Sequence, residues 1–160
     1  MNKEKIISIL QLIITVIFVA GIGFLSSVFA GDIQGKYEAM VKAPLAPPAF
    51  VFGPVWSVLY LLIAISLFLI IKAHCSKEKR RFAIILFFIQ LALNFVWSIV
   101  FFGGNFLFGA AVIIILLDIS VIACIYYFRK ISTKAAVLMV PYLLWILFAT
   151  YLNIAFAIVN

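Results

Sequence analysis

Five apolar runs follow one another along the chain: Ile6 to Phe29, Val51 to Ile71, Phe82 to Phe102, Phe106 to Phe128 and Ala135 to Val159. Each is about as long as the ~20 residues needed to cross a hydrocarbon core of about 30 Å as a helix. Polar and charged residues collect in the short segments between them, and Asp118 is the one charge inside a run. None of the runs alternates as barrel strands do, and lipid offers no partner for an unpaired backbone group. The pattern predicts an all-α membrane protein: one domain over residues 1–160, built as a five transmembrane helix bundle with spans at about 6–29, 51–71, 82–102, 106–128 and 135–159.

Composition agrees with this pattern. The chain is 68% hydrophobic and only 11% charged, against about 25% charged in a soluble domain. Charge then orients the spans. Lys3, Lys5, Lys72, Lys77, Lys79, Arg80, Arg81, Arg129, Lys130 and Lys134 fall on one side, and only Lys36 and Lys42 on the other. In short loops such a bias marks the cytoplasmic side. The sequence therefore predicts a multi-pass protein of the cytoplasmic membrane, N-terminus inside and C-terminus outside. The net charge of +7 is explained by topology and anionic headgroups, without a nucleic-acid partner. Lys3 and Lys5 before an apolar run ending in Val28-Phe29-Ala30 resemble a secretion signal, but the run is longer than the usual 7–15 residues or so, which favours an uncleaved span.

Candidate chemistry is sparse. Cys75 and Cys124 form no CxxC, and His74 is the one histidine, so no metal site and no catalytic triad is expected. Gly21, Gly23, Ser26 and Ser27 are small residues that let helices approach closely. Gly103-Gly104-Asn105 predicts a tight turn that sets the third and fourth spans antiparallel. The first connection, from about Gly31 to Phe50, is long and holds Pro44, Pro47 and Pro48. Long loops in compact domains are commonly functional, and proline leaves fewer conformations to lose. This segment is expected to form a proline-rich lid loop between helices 1 and 2, over the outer mouth of the bundle.

Polar and aromatic residues inside the spans share faces. On the third, Gln90, Asn94, Trp97, Ser98 and Phe101 draw one stripe; on the fifth, Tyr142, Trp145, Ala149 and Asn153 draw another; on the second, Phe52, Trp56 and Tyr60 stack at i+4. Amides cannot comfortably face lipid. Together the stripes predict an aromatic-lined pocket for a large, flat, mostly apolar ligand. Asp118 reads equally as a functional carboxyl, which keeps a small proton-coupled transporter open, or as hydrogen-bonded glue between helices.

Three motifs resemble the TspO/MBR family of tryptophan-rich sensory proteins, which includes the mitochondrial translocator protein or peripheral-type benzodiazepine receptor. They are Pro47-Pro48 leading into Phe52-Gly53-Pro54-Val55-Trp56 and Tyr60; Leu93-Asn94-Phe95-Val96-Trp97-Ser98 with Phe101-Phe102; and Val140-Pro141-Tyr142-Leu143-Leu144-Trp145 with Ala149-Thr150-Tyr151-Leu152-Asn153. The resemblance covers nearly the whole chain. It implies a membrane tetrapyrrole-binding or sensory protein, usually a homodimer, for ligands of the protoporphyrin IX type, haem-like molecules and benzodiazepine-type drugs, with no cofactor required. By motif position it implies a ligand site of Trp56, Tyr60, Asn94, Trp97, Ser98, Trp145 and Ala149, closed from the lid by Tyr37 and Pro47. The alternative it implies is an enzyme of light-dependent porphyrin degradation, with Trp56 and Trp145 as the catalytic groups. The family's sterol motif places a basic residue shortly after a tyrosine of the fifth helix, and none follows Tyr151, which tells against sterol binding there.

Overall fold

A computed structural model describes residues 3–104 and 106–160. Six α-helices follow: α1 (Lys3–Ala30), α2 (Ile33–Ala39), α3 (Phe52–Lys72), α4 (Lys77–Ser98), α5 (Leu107–Arg129) and α6 (Thr133–Val159). A 3-10 turn at Ala49–Val51 leads into α3, and a π-helical turn at Ile99–Gly103 extends α4. Among the described residues five helical segments are long and apolar enough to cross a membrane, and α2 is the short exception. The chain is an integral, multi-pass membrane protein.

Local sequence sets the helix ends. Asp32, Ser76 and Ser132 accept hydrogen bonds from the backbone N–H of Gly35 (2.9 Å), Lys79 (3.3 Å) and Ala135 (3.3 Å), satisfying donors that the first turns of α2, α4 and α6 leave free. Gly31 ends α1 at φ +78°, a conformation that costs glycine nothing, and turns the chain at once into α2. Arg80 donates to the Ala73 carbonyl at 2.6 Å and so ties the start of α4 to the end of α3. The connection after α4 differs from the expected glycine turn. The helix widens into the π turn, and Gly104 N–H closes it on Ile99 O at 3.0 Å; Asn105 lies outside the described residues.

The spanning helices pack in a ring, α1 against α3, α3 against α6, α6 against α5, α5 against α4, and α4 back against α1. Where lipid is as apolar as the side chains, close packing and hydrogen bonds must hold helices together. Small buried residues supply the first: Ala64 on α3, Ala83 on α4, Ala110 on α5 and Ala135 on α6. Serines supply the second. Ser66 of α3 donates to Ala135 O of α6 at 2.8 Å, and Ser26 of α1 donates to Phe95 O of α4 at 3.2 Å. The outward faces carry exposed Ile14, Ile17, Phe108, Ile119 and Leu144, a surface suited to acyl chains.

The segment between α1 and α3 is ordered by its own bonds. Tyr37 of α2 is buried, and its hydroxyl donates to Pro47 O at 2.6 Å. Its ring meets Phe52 and Phe156 edge-on, at 4.9 and 5.6 Å between centroids. The segment also reaches the far end of α6. Val41 N–H donates to the Asn160 side-chain oxygen (2.8 Å), the Asn160 amide donates back to Val41 O (3.2 Å), and Tyr151 donates to Pro44 O (2.8 Å).

Candidate functional site

A cavity of about 540 Å³ lies between α1, α3 and α4, with α2 and the 3-10 turn at one end. Its aromatic wall is built by helical spacing. Phe52, Trp56 and Tyr60 repeat every fourth residue along α3, so their rings stack along one face. Trp56 is the hub. Its ring lies 5.7 Å from Tyr60, 6.1 Å from Trp97 and 6.3 Å from Tyr142, centroid to centroid. Trp97 in turn stacks on Phe101 at 5.5 Å and meets Phe102 at 6.3 Å. Such offset and edge-on contacts each add about 0.5–1.5 kcal/mol beyond area burial.

Hydrogen bonds fix the polar members. Tyr60 donates to the Asn94 side-chain oxygen at 2.6 Å, and the Asn94 amide donates to the Tyr142 hydroxyl at 3.1 Å. The Trp97 indole N–H donates to the Asn153 oxygen at 3.0 Å, and the Asn153 amide donates to Leu107 O at 2.8 Å. Two asparagines thus join α3, α4 and α6, and α4 to α6 and the start of α5. The expected stripe on the third span is the reason: Asn94 and Trp97 sit on adjacent turns of α4 and both point inward.

Of the residues read from the sequence as ligand contacts, Tyr37, Trp56, Tyr60, Asn94, Trp97 and Ser98 line the cavity together. Pro47, Trp145 and Ala149 do not. Pro47 instead accepts the Tyr37 hydrogen bond. Trp145 lies at the α3–α6 seam, 6.0 Å from Phe52, which lines the cavity where Trp145 does not. The Trp145 indole N–H is buried without a partner. Ala149 is buried on α6. The geometry also adds residues that the stripes did not mark: Gly23, Phe24 and Ser26 of α1, Phe50 of the 3-10 turn, and Phe102 of the π turn. From the sequence Gly23 and Ser26 read only as packing residues. The π turn explains Phe102, because its extra residue rotates the end of α4 and turns both Phe101 and Phe102 inward.

Two polar groups lie apart from this space. The Asp118 carboxylate accepts a hydrogen bond from Thr150 at 2.7 Å, bridging α5 and α6, and its other oxygen has no partner. Gln90 is wholly buried one turn below Asn94, and neither end of its amide is bonded. Among the described residues no group of His, Cys, Asp and Glu is arranged to hold a metal ion.

Five apolar helices, three of which enclose an aromatic-lined cavity, define a polytopic membrane protein with a ligand-sized space. The sequence matches the TspO/MBR family over residues 13–159. It is 43% identical over 154 residues to the tryptophan-rich protein TspO of Archaeoglobus fulgidus, covering 96% of this chain and 99% of that one. It is 32% identical to the tryptophan-rich sensory protein of Cereibacter sphaeroides, over 73% of this chain and 72% of the relative, and 35% identical to the human translocator protein, over 73% and 70%. The chain belongs to the TspO/MBR family.

Proposed function

We propose that the cavity binds a tetrapyrrole of the protoporphyrin IX type, and that the protein acts as a membrane binding and sensory protein. The observation that carries this reading is the aromatic wall Phe52–Trp56–Tyr60 facing Trp97, with the Asn94 amide as its polar edge. A flat, largely apolar macrocycle gains most from rings it can stack on and needs few polar contacts. A space of about 540 Å³ is within the range of small-molecule sites, roughly 300–1,000 Å³. In this reading residues 31–51 are a lid on the extracytoplasmic side, hinged beside Gly31 and held down by Tyr37, Tyr151 and Asn160. The basic loops lie in the cytoplasm, and the protein works in the cytoplasmic membrane as a homodimer. Benzodiazepine-type drugs would compete for the same rings.

Titration with protoporphyrin IX in the dark, in detergent micelles, tests it. Saturable quenching of tryptophan fluorescence is expected, weakened in Trp56→Phe and Trp97→Phe and little changed in Trp145→Phe. Absence of saturable quenching in the wild type overturns the reading. Illumination of the loaded protein then separates binding from breakdown. A shifted but stable absorbance band supports binding alone, and bleaching that depends on Trp56 supports the photodegrading enzyme.

A further inference from the structure

We infer that Gly23 is a positioning residue for the ligand site, acting through Tyr60; the inference rests on the binding reading above. Gly23 is buried where α1 crosses α3, and a Cβ built there would overlap the Tyr60 ring. The ring occupies the space that the missing side chain leaves. Both residues line the cavity, so this contact forms part of its wall.

The overlap has no easy release. Trp56 crowds the same ring, 5.7 Å away on the same helix. The ring's far end is pinned by the hydroxyl bond to Asn94 at 2.6 Å, and Asn94 is itself held to Tyr142. α1 is also tied: Ser26, one turn beyond Gly23, donates to Phe95 O of α4. A methyl group at position 23 therefore moves the Tyr60 ring off its place in the wall rather than moving the helix. That displacement breaks the bond to Asn94 and changes the shape of the aromatic face. Gly21 provides the contrast, since a Cβ there meets nothing within 4 Å. The two glycines lie two residues apart on one helix, and only one of them bears on the site.

The test uses Gly23→Ala, Gly21→Ala, Tyr60→Leu and the double variant Gly23→Ala/Tyr60→Leu. Each is read by protoporphyrin IX affinity and by the midpoint of thermal unfolding in the same detergent. Gly23→Ala is expected to weaken binding about tenfold, as loss of a well-placed polar contact does, while Gly21→Ala stays within about twofold. In the Tyr60→Leu background, adding Gly23→Ala is expected to cost no more than about twofold, because the ring it would displace is gone. A folded Gly23→Ala that binds like the wild type overturns the inference, and so does an equal loss with and without Tyr60. If the wild type binds no porphyrin, the binding reading fails and unfolding decides the Gly23–Tyr60 coupling. A midpoint lowered by Gly23→Ala only when Tyr60 is present supports the coupling; an equal lowering in both backgrounds overturns it.

Discussion

Asn94 has one side-chain oxygen and one amide group, and both are committed: the oxygen to Tyr60 and the amide to Tyr142. Replacing it with alanine leaves two hydroxyls in the interior without their partner. Hydrogen bonds between membrane helices are worth about 0.5–2 kcal/mol each, so Asn94→Ala should cost about 1–3 kcal/mol, read as a lowered unfolding midpoint. Asp118 predicts the opposite. Its one bond is accepted from Thr150, and an amide oxygen accepts as well as a carboxylate. Asp118→Asn should change stability by no more than about 0.5 kcal/mol and leave porphyrin affinity unchanged, whereas Asp118→Leu removes the bond between α5 and α6 and leaves the Thr150 hydroxyl to Ile146 O of its own helix. A large loss in Asp118→Asn would point to a working carboxyl and revive proton coupling. The inward face of α4 could be read from sequence because amides and aromatics at helical spacing have no other comfortable direction. Trp145 obeyed the same spacing on α6, yet spacing gives a face and not a neighbour. Nothing in the order of residues tells that Trp145 packs beside Phe52 at the α3–α6 seam while the cavity lies between α1, α3 and α4. The fit of Tyr60 over Gly23 was hidden for the same reason, since it joins residues that are distant in the chain.

Among the elements, the segment between α1 and α3 departs furthest from a plain reading of the chain. Its prolines mark it as constrained, but the hydrophobic pattern is too short to announce α2, whose seven residues are held by the Asp32 cap and by the burial of Tyr37. That burial makes the segment sensitive to alkali. The Tyr37 phenol is held above its ordinary value of 10.0 because burial penalises the charged form. A group whose proton is held more tightly in the folded state stabilises it fully below the ordinary value, and the contribution is lost as pH rises beyond it. Cleavage of residues 31–51 by an alkali-tolerant protease should therefore accelerate as pH rises above about 10. Tyr37→Phe should be cleaved faster at pH 8 or so, having lost the bond to Pro47, and should show a flatter pH dependence. Equal pH profiles in the two proteins would remove Tyr37 from this role. The spanning helices were legible because a run long enough to cross lipid has one structural solution.

For the whole molecule, direction across the membrane is the property that charge alone predicts. Cys75 follows α3 at the basic end and is partly exposed, while Cys124 is buried in α5. A membrane-impermeant maleimide should label one thiol per chain in inverted vesicles and almost none in intact cells. Strong labelling of intact cells would reverse the orientation proposed here. The ring of helices carries a last consequence, for how the chain is made. Synthesis delivers α1, α3 and α4 to the membrane first, and these hold the walls of the cavity. The partners that lock those walls, Tyr142 for Asn94 and Asn153 for Trp97, arrive only with α6. Until the final helix inserts, the nascent bundle holds an interior in which the Asn94 amide N–H and the Trp97 indole N–H lack their acceptors. A ribosome stalled before α6 would leave a chain with all of its ligand-facing rings and the Tyr60–Asn94 bond, but neither of the partners that α6 supplies. Quality-control proteases that survey unpaired polar groups in the bilayer would meet this protein at that moment.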